Sequence, residues 1–237
     1  MSLIAIGGSS GSGKSTAIRN LDPKETFIIQ TIPKPLPFPK WKSKYPLMDK
    51  KMYKGNRYIL FEKEHAEGDN PSENYMTASK KLQSILKLIS IKKTEIKTII
   101  IDDMGYLMSY EFLARAREKG YDRFSAIAQN FFNVIKVATA LSEDLDIIVT
   151  MHVEVVDEIQ KLKTTGKLVD NAIVVEGLFS IVLMSEVERV DGMNVYKFIT
   201  QSDGTTTAKS PMGMFDTEDI ENDLKIILKK IHEYEGE

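Results

Sequence analysis

The chain of 237 residues is 28% charged and 42% hydrophobic, the balance of one globular core rather than of a disordered or membrane protein. It has no cysteine and three histidines, which excludes disulfides, cysteine nucleophiles and thiolate metal sites. A net charge of −2 excludes a wholly basic nucleic-acid trap, and no segment approaches the roughly 18 apolar residues of a membrane span. One cytoplasmic domain over residues 1–237 is therefore expected, with no repeat and no low-complexity linker.

Residues 3 to 7, Leu-Ile-Ala-Ile-Gly, read as a buried strand running into a glycine-rich turn, with a helix from about Gly13 to Asn20. Thr26 to Ile32 is a second apolar, β-branched strand. Four prolines between Pro33 and Pro39 exclude regular helix or central strand there, so about 33–57 is an excursion from the core. It carries eight basic residues against Asp49, a local charge of +7 that leaves −9 for the rest. Tyr58 to Phe61 returns as a strand, and Asn70-Pro71-Ser72-Glu73 has the cap, proline and glutamate that open a helix to about Ser90. Leu82, Ile85, Leu86 and Ile89 form its inner face. Thr98 to Asp102 is an apolar strand ending in acid, one or two helices fill Tyr110 to Leu141, and Asp146 to His152 is another doubly buried strand. Ala172 to Glu186 and Val195 to Thr200 are further strands, and a last helix starts from a Thr217 cap with Ile220, Leu224, Ile227 and Ile231 inward. Strands alternating with helices predict an α/β fold of three layers, a mainly parallel central sheet with helices on both faces and ligand at the carboxyl ends of the strands.

Gly8-Ser9-Ser10-Gly11-Ser12-Gly13-Lys14-Ser15, followed by Thr16, satisfies the complete P-loop pattern in its required place, after a strand and before a helix. The glycines let backbone N–H groups turn inward onto a phosphate, Lys14 reaches the β- and γ-phosphates, and the Ser15 hydroxyl serves Mg²⁺. ATP with magnesium is the expected ligand. Ile99-Ile100-Ile101-Asp102-Asp103 supplies the partner acid: Asp102 for the metal side, and Asp103 as one candidate for the acid that handles the attacking water. Glu62 and Glu64, just past the Tyr58 to Phe61 strand, are the alternatives for that base. The strand ending in His152 follows the acidic strand in sequence, and where such a strand lies between the P-loop and acidic strands its tip senses the γ-phosphate. His152 and Glu154 are therefore candidate sensors.

Together GGSSGSGKST, IIIDD, VTMHVE, KLKTTGKLVDNAIVVEGLFSIVL and FITQSDGTTTAKSPMGMF resemble the phage RecA-like P-loop ATPases, a group that includes annealing proteins for single-stranded DNA. The resemblance covers nearly the whole chain. It implies a RecA-like ATPase working as a homo-oligomer in phage recombination or replication, in a host cytoplasm, with single-stranded DNA and a phage single-strand-binding protein as partners. Lys209 matches the place where such cores offer a basic residue to a neighbour's nucleotide, although that segment holds no arginine and no separate DNA-binding domain is visible.

In the excursion, lysines interleave with Phe38, Trp41, Tyr45 and Tyr53. Lys40, Lys42 and Lys44 on phosphates with Trp41 on a base would make a single-strand groove. The same composition also fits a solvated loop whose aromatics pack on the core or cover the adenine. Two other functions share the P-loop: a small-molecule kinase, which usually needs an arginine-bearing lid and here finds only Arg189 after Arg123, and a non-hydrolysing nucleotide switch.

Overall fold

The computed structural model describes residues 2–61, 71–141, 145–166 and 173–236. Ten strands are described: β1 (Leu3–Gly8), β2 (Thr26–Gln30), β3 (Arg57–Ile59), β4 (Thr98–Asp102), β5 (Asp146–Met151), β6 (Val153–Val156), β7 (Ile159–Leu162), β8 (Ile181–Val190), β9 (Met193–Ile199) and β10 (Asp219–Glu221). Eight of them form one sheet in the order β10-β9-β8-β1-β5-β4-β2-β3. From β3 to β8 every pairing is parallel; β9 and β10 close that edge antiparallel. β6 and β7 make a separate hairpin.

The central strands are buried on both faces, and the two-residue period divides them between two cores. Ile99 and Ile101 face α2 (Pro71–Lys92), α3 (Tyr106–Ala114) and α4 (Asp122–Thr139), where Leu82, Leu86, Ile89, Phe131 and Val134 join them. Ile100 and Ile148 face the other way, onto Ile18, Ile227 and Ile231 of a 3-10 helix (Thr16–Asn20) and α5 (Leu224–Glu235). This is the expected three-layer α/β P-loop fold, with β5 between the P-loop strand and the acidic strand in the RecA-like manner. Among the described residues no helix is long and apolar enough to cross a membrane.

Several element boundaries differ from the sequence reading. After the P-loop there is only a five-residue 3-10 helix; it ends at Asn20 as expected, with Leu21 extended ahead of Asp22-Pro23, but it begins at Thr16, three residues later than expected. The dipole expected behind the phosphates is correspondingly short. Val175–Leu178 is a 3-10 turn, so the strand of that region starts at Ile181; Ala172 lies outside the described residues. Two helices fill the middle region, beginning at Tyr106 and separated by a turn in which Gly120 has φ +91. The excursion holds one helical turn, α1 (Trp41–Lys44), and Asn70, the expected cap of α2, lies outside the described residues.

Thr217 does not cap the last helix. Ile220 instead belongs to β10, whose ladder with Lys197 to Ile199 satisfies its backbone, and α5 starts after Asp223. Asp223 Oδ1 accepts from the Lys225 N–H at 2.9 Å, and Oδ2 accepts from Asn20 Nδ2 at 2.6 Å, tying α5 to the segment behind the P-loop. Asp223→Ala is expected to lower stability by about 1–2 kcal/mol, the scale of a lost N-cap. Urea unfolding checks this, and an unchanged midpoint would show the cap to be dispensable.

Candidate functional site

β1 delivers the chain into the cradle at Gly8. Gly11 (φ +81) and Gly13 (φ +100) occupy left-handed backbone that favours glycine. Space also demands it: a Cβ on Gly8 would lie 2.3 Å from Ser12 Oγ, and one on Gly13 would lie 2.9 Å from the Tyr196 ring. Ser9, Ser10 and Gly11 form the exposed tip, while Ser12, Gly13 and Lys14 are buried and Ser15 and Thr16 half-buried. Ser185 Oγ donates to the Ser12 carbonyl at 2.6 Å and accepts from Asn222 Nδ2 at 3.1 Å, so β8 and the approach to α5 form the floor of the loop. Lys14 Nζ donates to the carbonyls of Gly8 and Ser9, both at 2.7 Å. Burial holds its pKa below the ordinary lysine value, with Asp103 and then Asp102 pulling the other way.

Asp102 stands at the tip of β4, and one of its oxygens gathers the site. Asp102 Oδ1 accepts from Ser15 Oγ at 2.8 Å and from Thr150 Oγ1 at 3.0 Å. Burial and the adjacent Asp103 raise its pKa, with the hydrogen bonds from Ser15 and Thr150 and the charge of Lys34 pulling the other way. The Asp103 N–H donates to Thr150 Oγ1 at 2.8 Å, and Asp103 adopts φ +60, which turns its side chain off the line of the strand. Its buried carboxylate lies between Lys34, whose ammonium pairs with Oδ2, and His152, whose Nε2 is 3.7 Å from Oδ1. Burial, then the nearby Lys14, lowers the His152 pKa, so the imidazole is neutral at pH 7. Its ring meets Tyr106 edge-on, with centroids 5.9 Å apart.

The fold therefore brings Lys14, Ser15, Asp102, Asp103 and His152 together. It places others elsewhere. Glu154 lies on β6 opposite Lys161, with 3.9 Å between their charged atoms, so it belongs to the hairpin ladder. Glu62 and Glu64 lie outside the described residues. The Lys209 backbone pairs with Val182, which stands level with Ala5, three residues along the sheet from Gly8. Two site residues escaped the sequence reading. Thr150 had a signal, a polar side chain in a doubly buried strand; Lys34 had none, being one lysine among many in its loop.

In the excursion the aromatics follow the second of the two readings and pack largely on the core. Phe38 and Tyr45 are buried in the core on the α5 side of the sheet, meeting edge-on at 6.2 Å. Trp41 packs against the same core, with the Arg57 guanidinium 4.9 Å from its ring centre. Among these four aromatics Tyr53 alone is exposed, and Lys40, Lys42 and Lys44 face solvent around a helical turn whose aromatic, Trp41, is half-buried.

Three observations fit a phosphate chain and a divalent cation. Ser12 Oγ is buried in the cradle without a hydrogen-bond partner. Gly8 and Gly13 keep the loop clear where a Cβ would collide. The Asp102 carboxyl stands beside the Ser15 hydroxyl, and oxygen donors of this kind suit Mg²⁺. No protein-family model matches the chain, and no curated protein does. Among solved structures, the flagellar accessory protein FlaH from Methanocaldococcus jannaschii is similar at 17% identity and a TM-score of 0.43, over 92% of this chain and 83% of that one.

Proposed function

We propose that the protein is a magnesium-dependent ATPase. The observation that carries this reading is the connection of cradle to acid: Ser15 and Thr150 donate to one Asp102 oxygen while Thr150 also fixes Asp103. In this reading the loop N–H groups and Lys14 bind the β- and γ-phosphates, Lys14 leaving its own loop carbonyls to do so. Ser15 and Asp102 hold Mg²⁺, which when bound balances the charge of the phosphates. Asp103 takes the proton of the attacking water as its oxygen bonds to the γ-phosphorus, and the β–γ bridging oxygen leaves with ADP. Neutral His152, against Asp103, is placed to hydrogen-bond the γ-phosphate or that water.

We extend the reading to a homo-oligomer acting on single-stranded DNA in phage recombination or replication, with a single-strand-binding protein as partner. The sequence resemblance supports this, as do the exposed Lys40, Lys42 and Lys44, and the resemblance gives Lys209 the role of reaching a neighbour's nucleotide. The kinase reading has one observation in its favour, a cavity of about 330 Å³ beside His152, lined also by Tyr106, Ser109 and Lys163, where an acceptor would have room.

Phosphate release, measured with and without Mg²⁺ and with and without an oligonucleotide, tests these readings together. Magnesium-dependent release is expected, and stimulation by single-stranded DNA supports the extension. Transfer to a small acceptor would establish the kinase, and ATP binding without release a switch.

A further inference from the structure

Lys34 closes the site from the side of the excursion, and its backbone is anchored by a buried polar relay. Gln30 Nε2 donates to the Lys34 carbonyl at 2.8 Å, and Gln30 Oε1 accepts from an Arg57 Nη1 at 3.0 Å. Arg57 Nε in turn donates to the Tyr45 carbonyl at 3.0 Å, and its guanidinium lies over Trp41. Gln30 is 1% and Arg57 9% exposed, and a buried relay of this kind is costly in any half-satisfied arrangement. At its far end the Lys34 ammonium pairs with the buried Asp103 carboxylate. Thr150 fixes only the Asp103 backbone, so the orientation of the carboxylate depends on its two side-chain neighbours, and His152 stands further off than a hydrogen bond.

We propose that Lys34 is a positioning residue, through which the basic excursion fixes the Asp103 carboxylate at the γ-phosphate end of the cradle. This inference rests on the ATP hydrolysis proposed above. It makes the excursion part of the reaction centre, so that an event moving α1 is transmitted through Arg57, Gln30 and Lys34 to the acid that handles the water.

The test is a cycle of four proteins: wild type, Lys34→Gln, Asp103→Asn and the double variant, with Lys34→Arg as the conservative control. The Lys34 side chain is 42% exposed, so its replacement opens no cavity, and the melting temperature of each variant reports the cost of the lost pair. Lys34→Gln is expected to lower kcat about tenfold with KM for ATP changed by less than about twofold, and Lys34→Arg to recover much of the loss. In the Asp103→Asn background the same change should cost nothing further, because its effect runs through that carboxylate. Equal losses in both backgrounds, an unchanged kcat, or a raised KM with kcat intact would overturn the inference. If the wild type binds ATP and releases no phosphate, the hydrolysis reading fails on its own. The melting temperatures of the same four proteins then decide: a loss on Lys34→Gln that vanishes in the Asp103→Asn background keeps the coupling, and an equal loss in both removes it.

Discussion

Lys14→Ala is expected to weaken ATP binding by about a hundredfold or more, since it removes at least two charge-assisted hydrogen bonds worth roughly 1.5–3 kcal/mol each. The loop N–H groups remain, so residual binding survives, and isothermal titration measures the difference. The ammonium holds the Gly8 and Ser9 carbonyls before any nucleotide arrives, so the loss of those two bonds must be read separately, as a change in melting temperature without ligand. Unchanged affinity in a folded variant would detach the cradle from the nucleotide.

Asp102→Asn is expected to lower magnesium-dependent turnover by at least about a hundredfold, because the amide cannot supply the charge that holds a cation worth several kcal/mol to the reaction. The asparagine oxygen can still accept from Ser15 and Thr150, so the cradle keeps its connection to β4. The sign of the stability change is the discriminating part. Burial first, and Asp103 second, raise the Asp102 pKa, so without metal its protonated form is favoured in the fold. The stability this gives is present below the ordinary carboxylate range and is lost as pH rises through the raised value. Asparagine suffers no such loss. The variant should therefore melt at the same or a higher temperature than wild type at pH 7 in chelator, and bind magnesium-free ATP as before. Melting several degrees lower would make Asp102 a structural hub rather than a metal ligand.

The P-loop and acidic strand were legible in the sequence because each is a local pattern whose chemistry needs neighbours in the chain. Sheet order was inferable only in part: the placement of β5 made His152 a sensor candidate, yet the same placement brings Thr150 onto Asp102 and Asp103, which the strand alone did not reveal. Lys34 reaches Asp103 because β2 pairs with β4, with Gln30 opposite Asp102, a relation between segments about seventy residues apart. The aromatics of the excursion show the opposite limit. Composition gave lysines and rings in alternation, but which way a ring faces depends on the core it meets, and Phe38 and Tyr45 meet one. At the chain's end, Asp223 has the better cap, since Thr217 precedes a segment that finds a strand partner in β9.

Among the described strands β1 is made first, yet its two neighbours in the sheet are β5 and β8, and the cradle it carries rests on Ser185, Tyr196 and Asn222. On the ribosome the nucleotide motif therefore emerges long before anything that shapes it. At a synthesis rate of roughly 5–20 residues per second, on the order of ten seconds separates the birth of the P-loop from that of its supports. Until β5 is made, Leu-Ile-Ala-Ile lacks both of its partners in the sheet, and an unpaired apolar strand of this kind is prone to aggregate. A nascent chain that ends before Asn222 carries the full P-loop motif without the Ser185 and Asn222 contacts on which it rests.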